Sequence, residues 1–233
     1  MHIPDGFIDA GVSAAGGVVA AGGVTVAVRK AARTLEDRQA PLAGLVAAFI
    51  FAVQMLNFPV ANGTSGHLLG GVLAAVLVGP WTGALCVALV LLVQGVFFAD
   101  GGLSALGLNV INMALVTAFG GYVIFRMVRA VLPGTRPMVA LAAAIAAGLG
   151  VVLASVAFFA EYAIGGVGDA SLSAVFTAMV GVHVLIGIGE AIITGLTVSA
   201  VLAVRPDLVY GARDLLPRLE VRTGPSRSLP GSS

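Results

Sequence analysis

Charge is scarce in this chain. Of its 233 residues, 12 are Lys or Arg and 11 are Asp or Glu, 10% together, against 59% hydrophobic. Soluble chains carry about 25% charged residues, so this one cannot cover itself with a wetted surface and reads as a membrane protein. Cysteine is nearly missing. Cys86 stands alone in the apolar run WTGALCVALVLLVQ, which excludes an internal disulfide and reads as a small packed hydrophobe rather than a redox group. No GxxxxGK[ST] phosphate loop and no HExxH occur, so the chain is neither an ATPase of that type nor a zinc protease. No Ser/His/Asp grouping suggests hydrolysis, and the basic residues offer no face for nucleic acid. The reading is therefore not an enzyme. Segments of about ten residues alternating apolar and polar, the mark of a membrane barrel, are absent as well. An all-α bundle follows, because helices satisfy their own backbone groups in lipid.

A helix needs about 20 apolar residues to cross the hydrocarbon core, and the hydropathy pattern gives about seven spans: 11–28, 41–57, 67–79, 81–98, 108–128, 138–162 and 176–203. The third is short and follows the loop FPVANGTSGH, which suggests that this segment dips into space lined by protein. The twelve basic residues fall into three clusters: Arg29, Lys30, Arg33 and Arg38; Arg126, Arg129 and Arg136; and Arg205, Arg213, Arg218, Arg222 and Arg227. Seven spans place all three on one side, and Asp5, Asp9, Asp100, Glu161 and Asp169 on the other. The positive-inside rule then puts the amino terminus outside and the carboxyl terminus in the cytoplasm. The first apolar stretch lacks the basic region of a signal peptide, so Met1 is expected to be the mature start.

Residues 1–204 read as one transmembrane domain and 205–233 as a cytoplasmic tail, expected to be disordered because it ends GPSRSLPGSS. Ala43 with Ala47, and Ala48 with Ala52, form small-xxx-small pairs in the second span. Such pairs serve internal helix packing or docking of another membrane subunit.

The chain begins MHIPDGF. A His at position 2 shares chelate rings with the terminal amine and the intervening amide nitrogen. Met1 N, His2 N and His2 Nδ1 can all bind one metal in a near-plane, with a fourth corner that His67 could fill. The amide must lose its proton, which Ni²⁺ and Cu²⁺ promote, and square-planar nitrogen coordination suits the same ions. Pro4 biases Ile3 to an extended shape, and Pro4-Asp5-Gly6 reads as a turn able to aim residues 1–3 back into the protein. From these residues alone, a loose chain start containing a turn is the slightly favoured reading. In the last span, His183 and Glu190 are seven residues apart and share a face. An ionisable residue at that depth is a functional candidate by default, whether as buried anchor, as partner of a ligand or as a proton-coupling carboxylate in a stand-alone secondary metal transporter. Asn57, Asn62, Ser65 and Asn109, toward the outer ends, and Asp5 in the leader are candidates for holding metal ligands by hydrogen bonds. Gln94 and Asn112 supply further polar groups, and packing between helices is the alternative for all of them.

Four stretches carry a resemblance: MHIPDGF, AAFIFAVQMLNFPVANGTSGHLLGG, VLLVQGVFFADGGLSALGLNVINM and GVHVLIGIGEAIITG. The chain resembles the CbiM/NikM family, the substrate-binding membrane subunits (S components) of energy-coupling factor cobalt and nickel importers, over nearly all of residues 1–204. The NFPVANGTSGH form is closer to the nickel branch. The resemblance implies a seven-helix protein of the prokaryotic plasma membrane whose amino terminus inserts into the bundle from outside. Its cargo, Ni²⁺ or Co²⁺, would be held by the Met1 amine, the His2 amide nitrogen and imidazole, and His67, with no resident cofactor. The resemblance further implies a transmembrane coupling subunit, cytoplasmic ATPase subunits that hydrolyse the ATP, and a small accessory membrane subunit as partners. It leaves the roles of His183 and Glu190 open.

Overall fold

The computed structural model describes residues 1–35, 39–59 and 65–215, with main chain only for Phe58, Pro59 and Ser65. The leader, residues 1–9, precedes helix α1 (Ala10–Thr34), which begins where the Asp9 carboxylate accepts from the N–H groups of Gly11 and Val12. Helix α2 (Ala40–Gln54) follows, then a two-residue antiparallel ladder of β1 (Phe58–Pro59) with β2 (Ser65–Gly66). Helix α3 (Gly71–Val78) and helix α4 (Pro80–Phe97) are joined through Gly79 alone. The stretch Leu106–Val131 is one continuous span made of α5 (Leu106–Val110), a π-helical segment (Ile111–Gly120) and α6 (Gly121–Val131). Helices α7 (Arg136–Gly165) and α8 (Leu172–Val204) pack along each other and complete the bundle.

The protein is thus nearly all-helical, as its composition requires. Among the described residues five helices are long and apolar enough to cross a membrane, and α2 is a shorter apolar helix of 15 residues. The third expected span is not one of the five. Only eight of its residues are helical, about 12 Å of rise, and all eight are buried. A helix enclosed by protein needs no membrane length, and its uniformly apolar sequence, GVLAAVLV, reflects burial on every side. The π-helical segment packs beside it: a β-carbon on Gly71 would strike the Thr117 side chain, so the two elements approach as only glycine allows.

The carboxyl-terminal stretch behaves differently from the disorder expected after Pro206. Pro206–Leu208 and Tyr210–Leu215 form two short 3-10 helices, with Val209 and Ala212 buried and Tyr210 against Gly79. Apolar Val209, Tyr210 and Ala212 cap the end of α3, an interaction that a polar average over 205–233 conceals. Residues 216–233 lie outside the described residues. On α2, Ala43 and Ala47 pack against the core, and the Cys86 thiol donates to the Ala43 carbonyl, whereas Ala48 and Ala52 face outward.

Candidate metal centre

The leader is folded into the bundle. Met1 and Ile3 have no exposed surface and His2 only 4%, against the usual fraying of a chain start. The turn at residues 4–7 forms as expected: the Phe7 N–H donates to the Pro4 carbonyl across Gly6, whose φ is 75°. Beyond the turn, Asp9 N–H donates to the Gly165 carbonyl and Val167 N–H to that of Phe7, while the Phe7 ring packs against Phe158 and Tyr162. The leader is therefore stitched to the end of α7.

Its other edge lies on the α4–α5 loop. Asn109 holds Ile3 at both ends, accepting from the Ile3 N–H at 2.8 Å and donating to the Ile3 carbonyl at 3.2 Å. Gly102 N–H donates to the same carbonyl. Asp5 accepts from both the main-chain N–H and the hydroxyl of Ser104, and these bonds hold its carboxyl below the ordinary range. The glycines are required here. A β-carbon on Gly102 would stand 2.4 Å from the Asp5 nitrogen, and one on Gly101, whose φ is 91°, would stand 2.8 Å from His2 Nδ1.

This packing brings His2 onto His67, their ring centroids 4.6 Å apart. His67 Nδ1 lies 2.8 Å from the Leu68 carbonyl oxygen, so Nδ1 carries the proton and donates, and Nε2 presents its lone pair. That Nε2 is buried without a hydrogen-bond partner, and so are His2 Nε2 and His183 Nε2. His183 repeats the pattern, its Nδ1 2.7 Å from the Met179 carbonyl, and it lies within electrostatic range of His67 and the terminal amine. Buried polar atoms are normally paired; the bare Nε2 atoms of His67 and His183 beside a buried chain terminus make this a candidate ligand site. Burial pushes the Met1 amine well below its ordinary value, with Asp100 pulling the other way. Burial, and next the amine, push His2 down to about 3. Both are neutral donors at neutral pH.

His67 is held from below. Glu190 on α8 accepts from the N–H groups of Leu69 and Gly70 at 2.8 and 2.6 Å, and Gln54 donates to the Leu69 carbonyl at 2.7 Å. Glu190 is thus bonded to the loop that carries His67, at the amino end of α3, where a carboxylate is favoured. Asn57 donates to Asp100 at 3.2 Å, the carboxylate that faces His2. Asn62 and the Ser65 side chain lie outside the described residues. Residues 99–104 lie in one of the stretches that carry the resemblance, but none of them stood among the candidate site residues. Asp100 Oδ2 is 3.6 Å from His2 Nε2, where it can orient the ring, and Ala99 takes a positive φ of 53°. The signal was the sequence ADGGLS, paired glycines beside an acid in an otherwise apolar chain. A cavity of about 370 Å³, lined by His2, Asp5, Asn57, Asp100, Gly101 and Gly102 among others, opens onto the leader from outside the bundle. Among the described residues no three His, Cys, Asp or Glu side chains form a metal-holding group.

A bundle of membrane-length helices enclosing its own amino terminus, with the His2 and His67 rings stacked beside it, defines a multi-pass membrane protein. The chain belongs to the CbiM family, described as the cobalt uptake substrate-specific transmembrane region, which matches residues 2–208. A protein of Archaeoglobus fulgidus, provisionally named as the fused nickel transport protein NikMN, is 40% identical over 90% of this chain and 68% of its own length. The cobalt transport protein CbiM of Sorangium cellulosum is 34% identical over 90% of this chain and 94% of its own. A crystal structure described as a truncated transition metal transporter superposes with a TM-score of 0.81 at 32% identity, covering 87% of this chain and 99% of that one.

Proposed function

We propose that this protein is the substrate-capture subunit of an ATP-driven energy-coupling factor importer, and that its cargo is a divalent transition metal ion, Ni²⁺ in preference to Co²⁺. Met1 N, His2 N, His2 Nδ1 and His67 Nε2 are the four donors. The observation that carries this reading is the burial of Met1 beside His2 and a bare His67 Nε2. Such a donor set selects by geometry: Zn²⁺ favours a tetrahedron, and Mg²⁺ and Ca²⁺ favour oxygen. Asp100 and Asn109 hold the leader donors, Glu190 holds the loop of His67, and metal enters through the cavity over the leader.

In this reading the chain crosses the membrane seven times with its amino terminus outside, α2 and the α3 segment making the short crossings. A coupling subunit, ATPases and a small accessory subunit are its partners, and the names of the fused nickel and cobalt transport relatives support that class of cargo. A proton-coupled carrier built on Glu190 is disfavoured, since both carboxylate oxygens are engaged by main-chain N–H groups.

The test is calorimetric Ni²⁺ binding to the detergent-purified chain, comparing the native start with a form carrying one extra residue before Met1. Every side chain is kept and only the terminal chelate is lost. Tight binding is expected for the native start alone. Equal binding by both would refute the amine as a ligand and return the site to His67 and His183.

A further inference from the structure

At the end of the bundle opposite the leader, α6 and the Tyr210–Leu215 turn enclose a second cavity of about 470 Å³, lined by Tyr122, Phe125, Arg126, Arg129, Ala130, Tyr210, Gly211, Arg213 and Asp214. Metal capture makes no use of it. Three guanidinium groups meet one carboxylate there. Arg129, its side chain only 10% exposed, pairs with Asp214 at 2.9 Å. Arg126 stands one helical turn from Tyr122 on the cavity wall, and the Arg213 guanidinium lies 4.5 Å over the Tyr210 ring. Among the described residues, no carboxylate pairs with Arg126 or Arg213. An ion pair and an aromatic ring therefore hold Arg129 and Arg213 in place, and among the described residues the cavity keeps a net positive charge. Guanidinium forks preorganised in this way match the oxygens of a phosphate.

The surface beside the cavity says which phosphate. Tyr122, Phe125, Arg126 and Arg129 line it at helical spacing, and Val123, Met127 and Val131, four residues apart on the neighbouring face of α6, are 57, 66 and 82% exposed. These positions end the apolar span Leu106–Val131. An apolar stripe thus runs up to the rim of an arginine-lined pocket at the boundary of hydrocarbon and headgroup. A soluble phosphate would engage the arginines and leave the stripe unused; a phosphodiester carrying acyl chains engages both.

We propose that this cavity is a binding site for the phosphodiester headgroup of an anionic membrane phospholipid, with acyl chain laid along Val123, Met127 and Val131. Basic pockets at helix ends hold anionic lipids in this manner. The bound lipid ties the carboxyl-terminal turn to α6 through Arg213 and Arg126. The site is independent of the metal reading.

The experiment uses the full chain in nanodiscs of phosphatidylcholine alone or with phosphatidylglycerol, read by thermal unfolding, and in detergent by native mass spectrometry. Phosphatidylglycerol is expected to raise the melting temperature by about 5–10 °C at hundredfold excess over its dissociation constant, and one such lipid to survive on the ionised protein. Arg126→Gln and Arg213→Gln should each remove most of the gain. Arg213 is surface-exposed, so its replacement leaves folding intact, and circular dichroism checks both variants. Equal melting in the two lipids overturns the proposal and leaves the arginines to an acidic protein segment. A gain reproduced by millimolar inorganic phosphate in detergent also overturns it, in favour of a soluble anion.

Discussion

A methyl group on Gly102 has nowhere to go: its nearest neighbours are main-chain and side-chain atoms of Asp5 and Pro4, 2.4 to 2.7 Å away. Gly102→Ala must therefore move the leader, and with it the three donors that the importer reading assigns to residues 1 and 2. We expect Ni²⁺ affinity to fall by about tenfold or more, the equivalent of 1.4 kcal/mol, while circular dichroism shows unchanged helix content. Unchanged affinity would mean that the leader does not hold the metal. Protonation gives a second test at this scale. With the amine and His2 already neutral through burial, metal does not have to displace protons from either, only from the His2 amide. Calorimetry at pH 7 in buffers of different ionisation enthalpy should count about one proton released; donors at ordinary values of 7.7–8.0 and 6.5 would release about two. The sign for the metal-free protein follows. Between pH 6.5 and about 3 the undocked leader binds protons that the docked leader does not, so acid loosens docking across that window and has no effect through His2 above it. The protection of residues 1–9 against hydrogen exchange, taken relative to the intrinsic rate at each pH, should fall as pH drops below 6.5.

Among the elements, α3 depends on α8. Glu190 supplies the acceptors for two buried N–H groups just ahead of α3, and a helix this short has few hydrogen bonds of its own. Glu190→Ala strands both donors, a loss of about 1–3 kcal/mol each, and should lower thermal stability and Ni²⁺ affinity together. Glu190→Gln keeps one acceptor oxygen and should recover part of both. If Glu190→Gln instead binds normally and loses only the pH dependence of uptake, Glu190 is a proton carrier and not an anchor. The sequence announced this pairing incompletely. His183 and Glu190 are visibly on one face of the last span, but that Glu190 addresses Leu69 and Gly70, 121 and 120 residues away, follows from the packing of α8 beside α3. The same holds for α3 itself. Its apolar run reads as a span because periodicity records burial and does not distinguish lipid from protein.

For the molecule as a whole, the chain ends define two poles. The leader lies with Asp5, Asp9, Asp100 and the carboxyl end of α7, whereas Tyr210 meets Thr34, Gln39 and Trp81 on one side and Arg126 and Arg129 on the other. Among the described residues, Arg126 and Arg129 of the second basic cluster meet Arg213 of the third at the second pole. The lipid-facing surface of α2 carries Ala48, Ala52, Leu45 and Phe49. Small residues exposed on a membrane helix permit close approach of another. Under the importer reading, Ala48→Leu with Ala52→Leu should leave Ni²⁺ binding by the isolated chain unchanged and weaken co-purification with the coupling subunit. Retained co-purification would assign that role to another face.

Scarcity of charge, apolar run lengths and the distribution of arginines determined by themselves that this is a helical membrane protein with a basic and an acidic pole, because lipid imposes those terms on any chain that crosses it. The position of His2 also offered a chelate with the terminal amine, since that possibility depends only on covalent geometry, but it did not say whether the leader folds inward. What the tertiary structure decided is the company these residues keep. Asp100, Gly101 and Gly102 frame the leader, Glu190 serves the loop of His67, and Tyr210 to Asp214 close on α6. These are contacts between segments distant in sequence, fixed by close approach and burial, and neither composition nor periodicity carries that information.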